Sequence, residues 1–553
     1  MLLNIYHLKL VNIYLYIHTS NQDRDDNKPI MLPQASGGKS LQVHIGQQST
    51  SSVDPLSHTE ILKMSTRAGL SGEQQASVVA DIRAKFGHKV VKSGLQKAVP
   101  VHNNQLASFF TVEEKMFVNS EDQLVPKFLF FCEDIRSFLS YIADKRGVSS
   151  EDIEHLVQGD SGQQYFKLIV NMIKKEHLKQ ESGVRLPSAG FHFEENCETG
   201  PLKKRIKRRF REDGIGGGLE FKEWGARKSL ILAVAHNMPE NHHNLKIIFD
   251  ATKLYQIPFK LTGDFALIMP ILGLIKGCGS CNPCPICDQE RTKQGTNVLR
   301  WVEEKEISLR TLGGQYADYA GWVMDGEKIS AAGTKKWRSV CGTPLLQMTE
   351  GRQYEDLVLS LIVPGPLHLF LSFNEIINFM EKTVWPEIKV TLENVAGVQV
   401  HLYMGKIGNY QGPEIHKIFR NLEKLQAHME SDNLVMYYNT FCAFKDVAHS
   451  LFGLVLQSDW REKLHLLKLW IERLKSTYGM PITPKLHILT THIEQWVDLF
   501  GRSLGKEGEQ PGESLHHLWR KLLENLGEPK KKNSKSFKSA ILKSLLMFNA
   551  NNI

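Results

Sequence analysis

The segment from Cys278 to Cys287 reads CGSCNPCPIC and places four cysteines at intervals of three residues. Thiolates this close together are typical of a metal site, because a C-x2-C pair can bind one zinc ion. A self-contained four-cysteine zinc ribbon separates its two pairs by a dozen or more residues, and this segment does not. The spacing therefore predicts that one pair shares its ion with a distant segment. A buried cluster of metal-free thiols is the alternative.

Two histidines, His487 and His492 in PKLHILTTHIE, lie about 200 residues after the cysteines. Their H-x4-H spacing falls within the range that pairs of zinc-binding histidines use. Together with Cys284 and Cys287, they would complete a tetrahedral site of two thiolates and two imidazoles. In that case the first cysteine pair forms a second site or binds no metal. The residues between the two halves are then an insertion into one fold.

The composition indicates a soluble globular protein, with 553 residues, 42% of them hydrophobic and 23% charged. Eight cysteines in so long a chain argue against a secreted disulfide framework and for a reducing compartment. The apolar residues 1–17 are interrupted by His7 and Lys9 and are too short to span a membrane, so no membrane association is predicted. Residues 1–55 are predicted to be disordered, and translation starting at Met31 is equally consistent with their composition.

Positive charge is concentrated in KKRIKRRFR (203–211) and in a lysine-rich tail at 529–553, within a formal net charge of +8. Such clusters suit a polyanion. A nuclear address or a solvated linker is one interpretation of the first cluster, and a phosphate-contacting strip beside an active site is the other. Both point towards nucleic acid, and nuclear localisation is predicted. The predicted nucleic-acid-binding residues are Lys203, Lys204, Arg205, Lys207, Arg208 and Arg209.

Apolar residues at spacings of three and four predict helices over 56–185 and again over 346–480. Between these ranges, the apolar runs KSLILAVAH (228–236) and LKIIF (245–249) predict strands. The predicted fold class is therefore α+β and mostly helical, with a separate N-terminal helical domain.

Three acids stand at positions where they could act together. Asp213 in REDGIGGGLEF is predicted at or beside the first strand of a sheet, Asp264 in KLTGDFALIM near a strand end or helix start, and Glu513 at the start of a helix. Each also has a structural alternative, as a turn residue, a helix N-cap and a helix-dipole partner respectively. An acid, a meander and a second acid are the order expected where an RNase H-like sheet begins.

The order of these motifs resembles the catalytic core of the large subunit of the vertebrate V(D)J recombinase and of the related Transib transposases. The resemblance covers about 200 to 528 and rests on EDGIGG, TGDFAL, CPICD, the H-x4-H pair and ESLHHLWR. One departure is VPGPLHLF, where Gly365 and Pro366 stand in place of the family's acid and alanine.

The resemblance implies an RNase H-like core interrupted by a zinc-binding and helical insertion. It also implies a DDE-type recombinase that acts as a homodimer, nicks one DNA strand and uses the freed 3′ hydroxyl as nucleophile. Asp213, Asp264 and Glu513 would hold two Mg2+ or Mn2+ ions, with Asp356 as the fallback for Asp264, and the zinc would be structural. The alternatives are a domesticated relative that binds DNA or a partner without cutting, and an unrelated zinc-bearing helical scaffold.

The predicted organisation follows from these features. Its segments are 1–55, disordered; 56–185, helical domain; 186–212, basic linker; 213–280, first part of the RNase H-like core; 281–345, cysteine half of the zinc-binding region; 346–480, helical insertion; 481–528, histidine half and closing helix; and 529–553, lysine-rich tail.

Overall fold

The computed structural model of the chain is a mixed α+β fold built on one seven-stranded sheet. Asp213, Glu513 and the basic run 203–211 lie outside the described residues, as does the apolar start at 1–17. The structure describes residues 30–31, 42–43, 105–162, 164–175, 229–275, 280–294, 298–302, 307–327, 335–346, 352–402, 408–453, 455–508, 515–516, 519–520, 522–524 and 535–552.

The strands of the large sheet are β1 Phe110–Val118, β2 Leu124–Cys132, β3 Ile153–Gly162, β4 Tyr165–Lys174, β5 Ser229–His236, β6 Lys260–Gly263 and β7 Ile362–Pro364. Their order in the sheet is β7-β6-β3-β4-β5-β2-β1. Two-stranded ribbons also occur, in which Ile30–Met31 pairs with Gln42–Val43, Arg291–Gln294 with Val298–Trp301, and His401–Leu402 with Gly408–Asn409.

The middle of the sheet is an antiparallel meander extended by two parallel strands. β3, β4 and β5 pair antiparallel in turn, whereas β6 runs parallel to β3 and β7 runs parallel to β6. On the other side, β2 pairs antiparallel with β5 and with β1. Nearly every residue of β4 is buried, which explains why its sequence YFKLIVNMIK is an apolar run rather than an alternation.

The prediction of a separate helical domain over 56–185 is wrong for the described part of that range. Four of the seven sheet strands come from it, and β4 pairs along its length with β5 from the region after the basic run. A short apolar run buried on both faces cannot be distinguished from a buried helix by periodicity, which is why the strands were missed. One helix of the range was predicted and is present, Ile135–Lys145.

Two predicted strands have different outcomes. The run at 228–236 is strand β5, as predicted. The run LKIIF, predicted as a strand, lies in the helix His242–Thr252, where Leu245, Ile248 and Phe249 form one buried face. The side chain of Asn241 accepts a hydrogen bond from the N–H of Asn244 and so caps the start of this helix.

The described part of the range 346–480 is mostly helical, as predicted, except that β7 and the ribbon of His401–Leu402 with Gly408–Asn409 fall within it. No helix among the described residues is both long and apolar enough to cross a bilayer. The helices are α1 Ile135–Lys145, α2 His242–Thr252, α3 Phe265–Ile271, α4 Leu312–Met324, α5 Val358–Leu361, α6 Pro366–Leu371, α7 Phe373–Thr383, α8 Ile388–Ala396, α9 Gly412–Arg420, α10 Leu422–Gln426, α11 Asp432–Leu451, α12 Trp460–Tyr478, α13 Pro484–His487, α14 Ile493–Phe500 and α15 Lys535–Asn551.

Helix α15 occupies most of the predicted lysine-rich tail and packs on the sheet. The side chain of Asn549 bonds both to the backbone N–H of Ile231 at 2.8 Å and to its carbonyl at 2.9 Å. The pairing of β5 with β2 stops at Ala233, so Asn549 satisfies backbone groups that the sheet leaves unpaired. Residues 535–552 of the predicted tail are therefore part of the folded structure.

Candidate metal centre and carboxylate site

Four buried side chains, Cys284, Cys287, His487 and His492, form one cluster with ligand atoms that all lie within 4.8 Å of one another. The Sγ atom of Cys287 is 3.3 Å from Nε2 of His487, and the two histidine Nε2 atoms are 3.1 Å apart. The sequence prediction that these four residues meet is confirmed. Two sulfurs and two imidazole nitrogens converging on one point can hold a metal ion.

The histidines converge because the chain between them forms a π-helical turn, Ile488–His492. In an α-helix, residues five apart point roughly 140° away from each other, since each residue turns about 100°. A π turn makes hydrogen bonds from i to i+5, which brings residues five apart onto one face. The H-x4-H spacing alone does not predict this turn.

Neighbouring groups orient both imidazole rings. Nδ1 of His492 donates to Oε1 of Gln495 at 2.8 Å, which leaves Nε2 as the metal-facing nitrogen. The indole of Trp301 stacks on His487 with ring centroids 4.0 Å apart, while its own N–H donates to the carbonyl of Ile482. Burial lowers the pKa of His487, so this ring is neutral, as a metal ligand must be.

The side chains of Cys284 and Cys287 interact with each other. Burial opposes ionisation of Cys284, but hydrogen bonds from Cys287 and from the N–H of Ile286 lower its pKa. The hydrogen bond to Cys284, together with burial, raises the pKa of Cys287 to about 12. Both thiols would have to lose their protons to bind a divalent ion, because thiolates are the metal-binding form.

Arg310 holds the loop that carries both cysteines. Its buried guanidinium donates to the carbonyl oxygens of Cys284 at 3.1 Å and Cys287 at 2.9 Å. Its positive charge also favours the thiolate form of Cys284. Of the first cysteine pair, Cys281 is a free cysteine outside the cluster, and Cys278 lies outside the described residues.

Asp264 lies where strand β6 ends and helix α3 begins, as predicted. Its Oδ1 accepts a hydrogen bond from the N–H of Leu267 at 2.7 Å, so the structural alternative, an N-cap, also holds. The fallback residue, Asp356, closes a local turn by accepting from the N–H of Gln353.

Strand pairing places the backbone of a second acid, Asp160, close to that of Asp264. β3 and β6 run parallel with Gln158 opposite Thr262, and each acid follows its strand partner by two residues. The backbones stay close up to these acids, because a Cβ added at Gly263 would lie 3.9 Å from the carbonyl oxygen of Gly159. Neighbouring strands are about 4.8 Å apart, so the register places the backbones of the two acids close together at the carboxyl ends of adjacent parallel strands.

His516, from the segment that follows Glu513, contacts Asp160. Its Nε2 is hydrogen-bonded to Oδ2 of Asp160, and its Nδ1 lies 2.7 Å from Nζ of the buried Lys167. The helical residues around it are anchored in the core by the fully buried Trp519, whose ring meets Tyr165 edge-on. Two helix residues of the predicted closing segment therefore pack against β3 and β4.

Electrostatic interactions tie these groups together. Burial opposes ionisation of Asp160, but the hydrogen bond from His516 and the positive charges around it lower the pKa of this carboxyl group. Burial likewise lowers the pKa of His368, against the opposing effects of Asp264 and Asp160. His368, on α6, thus lies within electrostatic range of both acids.

Sequence reasoning missed Asp160. Of the predicted trio, the structure describes only Asp264, while Asp213 and Glu513 lie outside the described residues. The signal that could have found Asp160 is the segment HLVQGDSG, an apolar run that ends in an acid between glycines, comparable with KLTGD before α3. Because residues 153–174 were predicted to be helical, the similarity between these two segments was not recognised.

Comparison of the chain with protein-family models and with curated protein sequences found no match.

Proposed function

We propose that this chain is a DDE-type DNA transposase or recombinase whose carboxylates are Asp160, Asp264 and Glu513. Asp160 replaces Asp213 in the predicted trio. The observation that carries the proposal is the β3–β6 register, which brings Asp160 beside Asp264. Two carboxylates at adjacent strand ends are a suitable ligand set for Mg2+ or Mn2+, which prefer carboxylate oxygens.

The topology supports the same proposal. An antiparallel meander, β3 to β5, followed by the parallel strands β6 and β7 is the arrangement expected of an RNase H-like core. An acid near the end of the first meander strand and a second acid after the first parallel strand match the order inferred from the sequence. Glu513 precedes His516 by three residues, and His516 contacts Asp160, which makes Glu513 the natural third carboxylate.

Bound Mg2+ or Mn2+ ions would activate the attacking oxygen and stabilise the leaving oxygen of the DNA phosphate. The chain's own residues hold these ions and arrange the groups around them. His368 is within electrostatic range of Asp160, Asp264 and Lys485, so His368 and Lys485 would lie near a DNA phosphate bound at the ions. The basic run 203–211 would supply further phosphate contacts, as its charge indicates.

The ion in the Cys284–Cys287–His487–His492 cluster is proposed to be structural zinc. Two thiolates and two imidazoles with no carboxylate are a typical closed zinc set, and all four side chains are buried. This ion would join the loop after α3 to the segment before the closing helix. The protein is further proposed to act in the nucleus as a homodimer, as the sequence resemblance implies.

The test is a nicking assay on a supercoiled plasmid that carries the DNA flanking this gene on both sides, with Mn2+ as the divalent ion. The wild type should produce nicked circles. Asp160→Asn and Asp264→Asn should each lose more activity than the roughly 10–100-fold expected for loss of a supporting residue. Asp213→Asn is the matched control, and it should retain wild-type activity.

Two other results of the nicking assay would contradict the proposal. An inactive Asp213→Asn together with an active Asp160→Asn would return Asp213 to the trio and refute the register argument. A wild type that retards the plasmid in a gel but never nicks it would instead support the domesticated, non-cutting relative. Thermal unfolding of every variant shows whether a loss of activity merely reflects a loss of folding.

A further inference from the structure

Lys167 is fully buried in the central strand β4. Its Nζ donates to the carbonyl oxygens of Gly162 at 3.1 Å and Tyr165 at 3.0 Å, which belong to the β3–β4 turn. The third partner is Nδ1 of His516 at 2.7 Å. A buried lysine is costly to maintain, so this arrangement calls for a role beyond packing.

His516 lies between a donor and an acceptor, because Nζ of Lys167 can donate to Nδ1 and the carboxylate of Asp160 can only accept at Nε2. A ring proton on Nε2 satisfies both contacts. Nε2 then donates to Oδ2 of Asp160. In the hydrogen-bonded series from Lys167 through His516 to Asp160, each side chain therefore orients the next.

The β3–β4 turn at Gly162 lies directly against the ring of His516. A Cβ atom added at Gly162 would overlap the His516 ring, so the close approach requires glycine at this position. The ring thus fits between the turn backbone, the lysine and the carboxylate, with few alternative placements.

We propose that Lys167 and His516 are positioning residues for the metal-binding carboxylate of Asp160. His516 holds Oδ2 from one side so that the carboxylate presents its remaining lone pairs to the divalent ion, and Lys167 holds His516 in the required tautomer. The inference rests on the proposed function, since it assigns Asp160 a metal ion. Supporting residues of this kind raise metal affinity because they fix the ligand's orientation before the ion binds.

The experiment measures Mn2+ binding by calorimetry on the zinc-loaded full chain, without DNA, alongside the Mn2+ concentration that half-saturates nicking. His516→Leu and Lys167→Met keep approximate shape but remove the hydrogen bonds, and each should weaken Mn2+ binding by about 10–100-fold. His516→Gln should restore most of the affinity, because an amide can accept from Lys167 and donate to Asp160. Gly162→Ala, which removes no polar group, should weaken binding by displacing the ring.

Exposed residues of the same types supply the matched controls, His465→Leu on α12 and Lys246→Met on α2, which should bind Mn2+ as the wild type does. A purely structural role would lower the melting temperature of Lys167→Met and leave its Mn2+ affinity unchanged below that temperature. That result, or His516→Leu binding Mn2+ as tightly as His465→Leu, would overturn the inference.

Asp160→Asn separates this inference from the proposed function. If Asp160→Asn binds Mn2+ as the wild type does, the metal site itself is refuted, and the positioning role with it. If Asp160→Asn loses Mn2+ and the Lys167 and His516 variants do not, the metal site stands and only the positioning role fails.

Discussion

At the scale of single residues, the two cysteine pairs of CGSCNPCPIC have different surroundings. Cys284 and Cys287 are buried, face His487 and His492, and are held by Arg310 through their own carbonyl groups. Cys281 is a partly exposed free cysteine outside the cluster. Cys284 and Cys287, which lie beside two histidines and the positive charge of Arg310, are therefore the pair that should hold the ion.

Cys287→Ser should abolish zinc binding, because a serine hydroxyl does not replace a thiolate at a tetrahedral zinc site. Plasma emission spectrometry of the purified chain should detect about one zinc ion per wild-type chain and almost none in this variant. Cys281→Ser is the matched control from the same segment, and it should retain the wild-type zinc content. Loss of zinc in Cys281→Ser but not in Cys287→Ser would assign the ion to the other pair.

His155, on β3, should make stability depend on pH. Burial lowers the pKa of this side chain to about 4, and its Nδ1 contacts the carbonyl of Pro258 at 3.3 Å. An unfolded histidine binds its proton near pH 6.5, so acidification favours the unfolded chain and stability falls between about pH 6.5 and pH 4.

The test compares the wild type with His155→Gln by urea denaturation at pH 7 and pH 5. Over this interval the wild type should lose about 2 kcal/mol more stability than the variant, because only the wild type takes up this proton on unfolding. Comparing the two chains cancels the contribution of other titrating groups, including those of the metal centre. Equal losses in both chains would show that His155 binds its proton equally well in the folded and the unfolded chain.

At the scale of elements, an ion cluster ties the segment before the closing helix to the opposite end of β3 and β6. Arg502 contacts Glu154 at 3.1 Å and the fully buried Glu507, and Lys260 contacts Glu154 at 2.8 Å. Glu154 and Lys260 lie near the starts of the two strands whose far ends carry Asp160 and Asp264. The cluster therefore holds Arg502 and Glu507, which precede Glu513 in the chain, against the starts of β3 and β6.

Arg502→Met should destabilise the protein by about 3–5 kcal/mol, because it removes a cation that pairs with the buried carboxylates of Glu154 and Glu507. Arg461→Met is the matched control. Arg461 also bridges two acids, Glu494 and Asp498, but about half of its side chain is exposed, so its loss should cost much less. Urea denaturation measures both changes, and equal costs would mean that burial does not distinguish the two clusters.

Elements differ in how well the sequence predicts them. The metal cluster was predictable, because ligand type and spacing are local properties of CPIC and of H-x4-H. Asp160 was not, because its role depends on the pairing of β3 with β6 and hence on contacts between segments about 100 residues apart. Helix α15 was hidden by its lysines, although its apolar residues Phe537, Ile541 and Leu545 recur at helical spacing.

At the scale of the whole molecule, the metal cluster joins segments 200 residues apart, and β7 and the helices α4 to α13 lie between them. Without an ion, closing such a loop depends on packing alone, and the buried thiols and imidazoles lose their common partner. Strands β1 to β5 are held by pairing with one another, and none of these strands contains a residue of the cluster. The two regions should therefore respond differently to metal removal.

Removing zinc with a selective chelator should increase deuterium uptake first in peptides from 280–294 and 484–500. Uptake in 124–132 and 165–174 should change little, because β2 and β4 are held by sheet pairing on both sides. Hydrogen-exchange mass spectrometry on the full chain, before and after chelation and after zinc is restored, makes the comparison. A uniform rise would mean that the ion stabilises the whole fold as one cooperative unit. No rise in either region would mean that the four side chains hold no structural ion, which would also remove the link between the insertion and the segment that leads to Glu513.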